Sequence, residues 1–243
     1  MENIITFGSC LSRYVARSYK RLFSANIISS VYHNRSDAFL KGIESGSFGL
    51  DNDFIDFIGT LKNEDAHSII QNQTFSGIGK HHLDVEVNLF EALENNNVDI
   101  VIIDNFMDLS ARLASPNGFS SCKDVFIRKN DVDDFDSRFT LGEYIEPKDS
   151  IVNMHRICDF FLEMQKNIKI VFINFPHNTY DDVGRKYRTI EFFKGFKKDG
   201  VIIIPPMNIP KIYRTDVASH FDESQYSAYA GIIRALIRGQ EIL

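Results

Sequence analysis

The chain has 243 residues, of which 44% are hydrophobic and 25% charged, and its 27 Lys and Arg against 33 Asp and Glu leave a net charge of −6. This composition excludes a disordered, collagen-like or membrane-spanning chain, and the acidic balance argues against a nucleic-acid partner, which needs a basic face. Three cysteines (Cys10, Cys122, Cys158), odd in number and without CxxC spacing, argue against a disulfide framework and a structural zinc site, so no metal is expected.

Short β-branched runs mark the strands. In chain order they are Ile4–Phe7, Asn26–Val31, Val98–Ile103, Ile168–Ile173 and Val201–Ile204. Continuous apolar runs, rather than alternation, indicate strands buried on both faces, as in a parallel sheet covered by helices. Helical patterns fall between them, over Leu11–Phe23, Leu83–Glu94, Ile151–Lys166, Arg185–Lys198 and Ser224–Arg238. Strands alternating with helices predict a three-layer α/β/α sandwich with a mostly parallel, flavodoxin-like, five-stranded sheet. Two stretches break the rhythm. Residues 33–82 are rich in Ser, Asn, Asp and Gly, with one short helix expected near Phe54–Leu61; residues 110–149 carry Pro116-Asn117-Gly118 and the acidic run Asp131–Asp136. They read as insertions in one domain spanning 1–243, and long insertions in such folds lie near the site or form lids. The N-terminus MENIITFGSC has neither a basic n-region nor a long apolar stretch, so a cytoplasmic protein without a signal peptide or membrane span is expected.

The first strand runs into Gly8-Ser9-Cys10 and then directly into a helix. A hydroxyl there stands at the carboxyl edge of the sheet, where open α/β folds keep their sites, and free N–H groups at the helix start favour an oxyanion. Ser9 is thus a candidate nucleophile, or simply the helix N-cap. Cys10 is the alternative nucleophile, since a thiol at a helix N-terminus is activated. Near the other end, His220 precedes the last helix, with Asp216 four residues earlier; a carboxylate that orients a histidine leaves its other nitrogen as a base. Asn105 follows the third strand and reaches the same edge. His177 and Asn178 follow the fourth strand, and Arg13 lies on the first helix; these three are candidate substrate contacts.

Gly8-Ser9-Cys10, Asn105 and His220-Phe221-Asp222-Glu223 with Tyr226, in that order along the whole chain, resemble the blocks of the SGNH/GDSL superfamily of serine hydrolases and acyltransferases. The Gly-Ser-Cys start followed by Ser12-Arg13 is a variant resembling SGNH-like proteins associated with bacterial surface polysaccharides. The resemblance implies an esterase or O-acetyltransferase acting on a carbohydrate or polysaccharide precursor through an acyl-Ser9 intermediate. It implies Ser9, His220 and Asp216 as catalytic residues and an oxyanion hole formed by the Ser9 N–H, Asn105 and a glycine, for which Gly77 is favoured over Gly46, Gly49 and Gly79. No resident cofactor is implied, and an acyl-CoA such as acetyl-CoA is a fitting donor. The chain departs from the family by lacking the Asp of its first block and by placing the acid four residues before the histidine rather than three, which leaves a Ser-His dyad or a non-catalytic carbohydrate- or nucleotide-binding scaffold as alternatives.

Overall fold

The computed structural model describes residues 1–46, 48, 58, 60–81, 85–95, 97–118, 124–165, 167–215, 217 and 219–239. Its centre is a five-stranded, fully parallel sheet built from β1 (Asn3–Gly8), β2 (Asn26–Tyr32), β3 (Ile100–Asp104), β6 (Lys169–Ile173) and β7 (Val201–Ile204). The strand order is β2-β1-β3-β6-β7, the doubly wound order of flavodoxin-like folds, whose topological switch point lies between β1 and β3. The expected sandwich is the observed one. The central strands bury Ile4, Ile5, Phe7 and all of Ile100–Ile103, which is why they read as unbroken apolar runs.

Helices cover both faces. On one, α1 (Cys10–Phe23) packs against α9 (Glu223–Ile237); on the other, α2 (Ser36–Ser45), α7 (Pro147–Met164) and α8 (Val183–Gly195) pack in series. Phe7 bridges from β1 to the second layer through edge-on contacts with Phe39 of α2 and Phe161 of α7. The helix expected over Leu83–Glu94 is shorter: α4 spans Leu89–Asn95. Val85 instead forms a two-way backbone bridge with His81, which takes its N–H and C=O out of any helix. Residues 82–84 lie outside the described residues, as does most of the helix expected near Phe54–Leu61.

The two stretches that interrupt the alternation meet each other. Leu61, Ala66 and Ile70, around α3 (Glu64–Gln71), share a small hydrophobic core with Ala114, Val125, Ile127, Val132, Phe135 and Phe139. In that second group Ala114 and Phe139 come from the antiparallel pair β4 (Ala114–Pro116) and β5 (Phe139–Leu141), Phe135 from the short α6 (Phe135–Arg138), and Val125, Ile127 and Val132 from the segment between β4 and α6. The acidic run is not merely solvated: Asp131 is buried and paired with Arg128, while Asp133 and Asp136 pair with Lys62 and Lys129. This cap lies beside the carboxyl edge of the sheet. Among the described residues, no helix is long and apolar enough to cross a membrane.

Candidate active site

The carboxyl ends of β1 and β3 meet at the switch point. Gly8 ends β1 with φ +141°, and a Cβ there would sit 2.6 Å from Asp104 Oδ2 and 2.7 Å from the Asp104 carbonyl oxygen. Only glycine combines that backbone with so close an approach. The chain then turns into α1, and Ser9 is its N-cap: the Ser9 hydroxyl oxygen accepts from the Leu11 N–H at 3.1 Å.

The Ser9 hydroxyl donates to the Asp104 carboxylate, at 2.9 Å and 3.1 Å to its two oxygens, and the Ser9 N–H donates to Oδ2 at 2.8 Å. Asp104 also accepts the N–H groups of Ser12 and Phe106, at 2.9 Å and 3.0 Å. Ser9 is 2% exposed and Asp104 fully buried. In this arrangement the Ser9 hydroxyl faces inward to a carboxylate, and the same carboxylate takes the Ser9 N–H. The cause is local, because an N-cap side chain curls back over the helix start and Asp104 stands there to receive it.

The other sequence candidates are also placed. His220 is half-buried, its ring edge-on to Tyr14 at 5.9 Å, and burial lowers its pKa. Asp216 lies outside the described residues. Asn105 is fully buried; its Oδ1 accepts the Phe175 N–H at 2.9 Å, and its Nδ2 has no partner. The Gly77 N–H donates to Thr74 Oγ1 at 3.0 Å within a local turn. Asn178 ties its turn to the 208–209 loop through the Ile209 backbone and Asn208, and His177 is a partly exposed residue of the same turn. Arg13 is buried, with its guanidinium over the rings of Tyr14 and Tyr32.

A different pair is brought together. Cys10 is the first residue of α1, and its Sγ lies 3.8 Å from His33 Nε2 and 3.6 Å from the Tyr32 hydroxyl. Both partners come from the end of β2, whose Tyr32 is in register with Gly8. His33 has φ +54°, unusual for a residue with a side chain, and its N–H donates to the Gly8 carbonyl at 2.9 Å. That bond fixes the turn that aims the ring at Cys10. Phe126 of the cap stacks on the imidazole at 5.4 Å and 7°. The Tyr32 hydroxyl donates to Asp65 of α3, which is paired with Arg128.

Burial pushes the Cys10 thiol up to about 11, against the opposing pull of the Tyr32 hydrogen bond and of Arg13. Burial also holds His33 down at about 3. The pair therefore rests as a thiol beside a neutral imidazole; burial favours both neutral forms and so opposes charge separation between them. His33 was missed in the sequence because it opens an insertion. The signal that finds it is its position one residue past the end of β2, which puts it level with the Gly8-Ser9-Cys10 turn in a parallel sheet.

No family model matches the chain, and no curated protein matches it in sequence. Among solved structures it is similar to a lipase from a goat rumen metagenome, at 10% identity and a TM-score of 0.48 over 97% of each chain. It is also similar to an acetyl xylan esterase from the rumen bacterium Butyrivibrio proteoclasticus, at 9% identity and a TM-score of 0.47, over 98% of this chain and 63% of that one. Likeness at this level leaves the chemistry to be argued from the site itself.

Proposed function

We propose that this chain is an acyl-transfer enzyme acting on esters or thioesters through a covalent acyl-enzyme, with the Cys10 thiol as nucleophile and His33 as its base. The observation that carries the reading is the 3.8 Å contact between Cys10 Sγ and His33 Nε2 at the first turn of α1. A nucleophile within reach of a base, at the carboxyl edge of a parallel sheet, is the arrangement that covalent catalysis needs. Ser9, committed to Asp104 through both of its donors, serves as the anchor of the turn.

In the first half-reaction Sγ attacks the acyl carbonyl carbon and its proton passes to His33 Nε2. The tetrahedral intermediate collapses with cleavage of the bond to the leaving oxygen or sulfur, which takes the proton back from Nε2. In the second half, an acceptor hydroxyl gives its proton to a histidine and attacks the thioester. The sulfur leaves and recovers a proton, restoring the thiol. Water as acceptor makes an esterase; a sugar hydroxyl makes an O-acetyltransferase, with acetyl-CoA as a fitting donor. The positive end of α1 and the nearby Arg13 cation favour the negative charge that develops. A carbohydrate acceptor is supported by the aromatic wall of Tyr14, Phe221 and Tyr226 in the adjoining cavity, and by the sequence resemblance.

A second reading, a non-catalytic carbohydrate- or nucleotide-binding protein on the same scaffold, is favoured by the low exposure of Ser9 and Cys10, 2% and 8%. Intact-mass spectrometry after incubation with p-nitrophenyl acetate separates the readings. An acyl adduct mapped to Cys10, cleaved by neutral hydroxylamine, absent from Cys10→Ala and retained in Ser9→Ala, is expected. An adduct on Ser9 that depends on His220 would reverse the choice of nucleophile. No adduct and no turnover with this ester or with acetyl-CoA would favour the binding reading.

A further inference from the structure

Three arginines meet beyond the carboxyl ends of β3 and β6. Arg112 follows β3, and Arg185 and Arg188 stand near the start of α8, which follows β6. Three residues apart, the latter two share a helix face. Arg188 Nε donates to the Leu109 carbonyl at 2.8 Å, and the Ser110 and Tyr180 hydroxyls are 3.4 Å apart. Arg185 lies over the Tyr180 ring, 5.7 Å from its centroid. Arg188 and Arg112 both lie over the Tyr144 ring, at 4.0 Å and 5.5 Å. These contacts tie the three cations into one patch.

The patch has donors and no matching acceptor. The three arginines are half-buried, and among the described residues none of them has a carboxylate partner. Arg185 Nε is buried without a hydrogen-bond partner, a state that costs about 1–3 kcal/mol when nothing fills it. Asp182 does not fill it, because its Oδ1 accepts the Arg185 backbone N–H at 2.6 Å as the cap of α8. Asp181 and Glu143 are exposed. Elsewhere Arg21, Arg35, Arg128, Arg156 and Arg234 each hold a carboxylate.

We infer that Arg112, Arg185 and Arg188 bind the phosphoryl group of a small-molecule ligand. Guanidinium groups meet phosphoryl oxygens in pairs through their forked donors, and three such forks suit a group with several charged oxygens better than a single carboxylate. The strand order puts β6 two strands from β1, so the patch shares the carboxyl edge with Cys10, the strand ends being about 10 Å apart. On the proposed acyl-transfer reading the ligand is an acyl thioester of the CoA type, held by its phosphates while its arm runs along that edge to the sulfur. The inference rests on that reading only for this identity, not for the binding.

Isothermal calorimetry on the full chain tests this with CoA, ADP, pyrophosphate and succinate as probes. At least one phosphorylated probe is expected to bind with a Kd below about 1 mM, with affinity that falls as salt rises, and succinate more weakly than the best of them. CoA binding above ADP marks the thioester donor, ADP equal to CoA marks a nucleotide, and pyrophosphate equal to both marks the phosphate alone. The Arg112→Gln/Arg185→Gln double variant should weaken binding by about tenfold or more. Neither side chain donates a hydrogen bond among the described residues, so the fold should survive, as thermal unfolding without ligand checks. Arg185→Lys, which keeps the charge and loses the fork, should weaken binding several-fold and carries the test if the double variant unfolds. Cys10→Ala should bind as the parent chain does, so failure of the thiol mechanism leaves this result standing. The inference is overturned if no phosphorylated probe reaches a Kd of about 1 mM, if succinate binds as well as the best of them, or if the folded variants bind unchanged.

Discussion

Asp104 takes both hydrogen-bond donors of Ser9, the N–H at 2.8 Å and the hydroxyl at 2.9 Å. One carboxylate at the end of β3 thereby fixes the turn at the end of β1 and directs the following residue, Cys10, toward β2. With the Ser12 and Phe106 N–H groups added, Asp104 serves as the shared cap of two helices, α1 and α5 (Phe106–Ser110).

Asp104→Ala is expected to destabilise the chain strongly. Its fully buried carboxylate is the partner of several buried donors, and each donor left unsatisfied costs about 1–3 kcal/mol. Urea unfolding should show a loss of about 3–5 kcal/mol; a loss under about 1 kcal/mol would contradict the anchoring role.

Gly8→Ala should be as damaging, for a steric reason. The new methyl would stand 2.6 Å from Asp104 Oδ2, at φ +141°. The expected cost is about 3 kcal/mol or more, measured by thermal unfolding, with a loss of acylation at Cys10 in whatever fraction remains folded.

The two perturbed groups of the thiol site set a pH dependence. His33, held at about 3, stays neutral through the physiological range, and the Cys10 thiol, raised to about 11, stays protonated. Alkylation of Cys10 by iodoacetamide should be slow at pH 7 and climb about tenfold per pH unit, without a plateau, to beyond pH 9. Cys158, fully buried and raised to about 12, should lag behind it. Peptide mapping of the labelled chain reads both rates; a plateau near pH 7 for Cys10 would show a thiolate stabilised by its neighbours.

Asp108 predicts a pH effect on stability of the opposite sign from the usual carboxylate. Burial raises its pKa to about 6, against hydrogen bonds from Ser150 and Ser36 that favour the ion. Because the folded value lies above the unfolded one, the contribution of this group is fully present below about pH 4 and is lost as pH rises through about 6. Asp108→Asn should remove this loss. The stability of the variant relative to the parent should therefore rise between pH 4 and pH 7, by up to about 3 kcal/mol, as read from urea midpoints across that range. A difference that stays flat would place the native pKa near the ordinary value.

The sheet was legible because burial on both faces writes itself as unbroken apolar runs such as Val98–Ile103. The first and last helices were legible over Leu11–Phe23 and Ser224–Arg238, each starting one residue inside the observed helix, whose caps are Ser9 and Asp222. The site was legible only as a place. Which edge carries chemistry follows from strand direction, but whether Ser9 turns inward or outward depends on Asp104, ninety-five positions away. His33 was hidden for a similar reason. Its ring reaches Cys10 only through a left-handed backbone at a non-glycine residue, held by a bond to the Gly8 carbonyl, and no local pattern announces such a turn. The helix start displaced from Leu83 to Leu89 shows apolar periodicity yielding to a backbone bridge, His81 to Val85.

The cap has its own hydrophobic core, in which Ile58, Leu61, Ala66 and Ile70 meet apolar residues such as Ala114, Val125 and Phe139, separate from the core around the sheet. Units with their own interior open locally at a free energy below that of global unfolding, and this one is tied to β2 through Asn72, which bonds the Tyr32 N–H and the Ser30 carbonyl. Ile69 and Phe126, which cover Cys10, belong to that unit. Cover of the sulfur by these side chains predicts that acylation by a bulky donor is slower than by a small one. Amide exchange along α3 and β5 would report the local opening directly, ahead of exchange in β1 and β3.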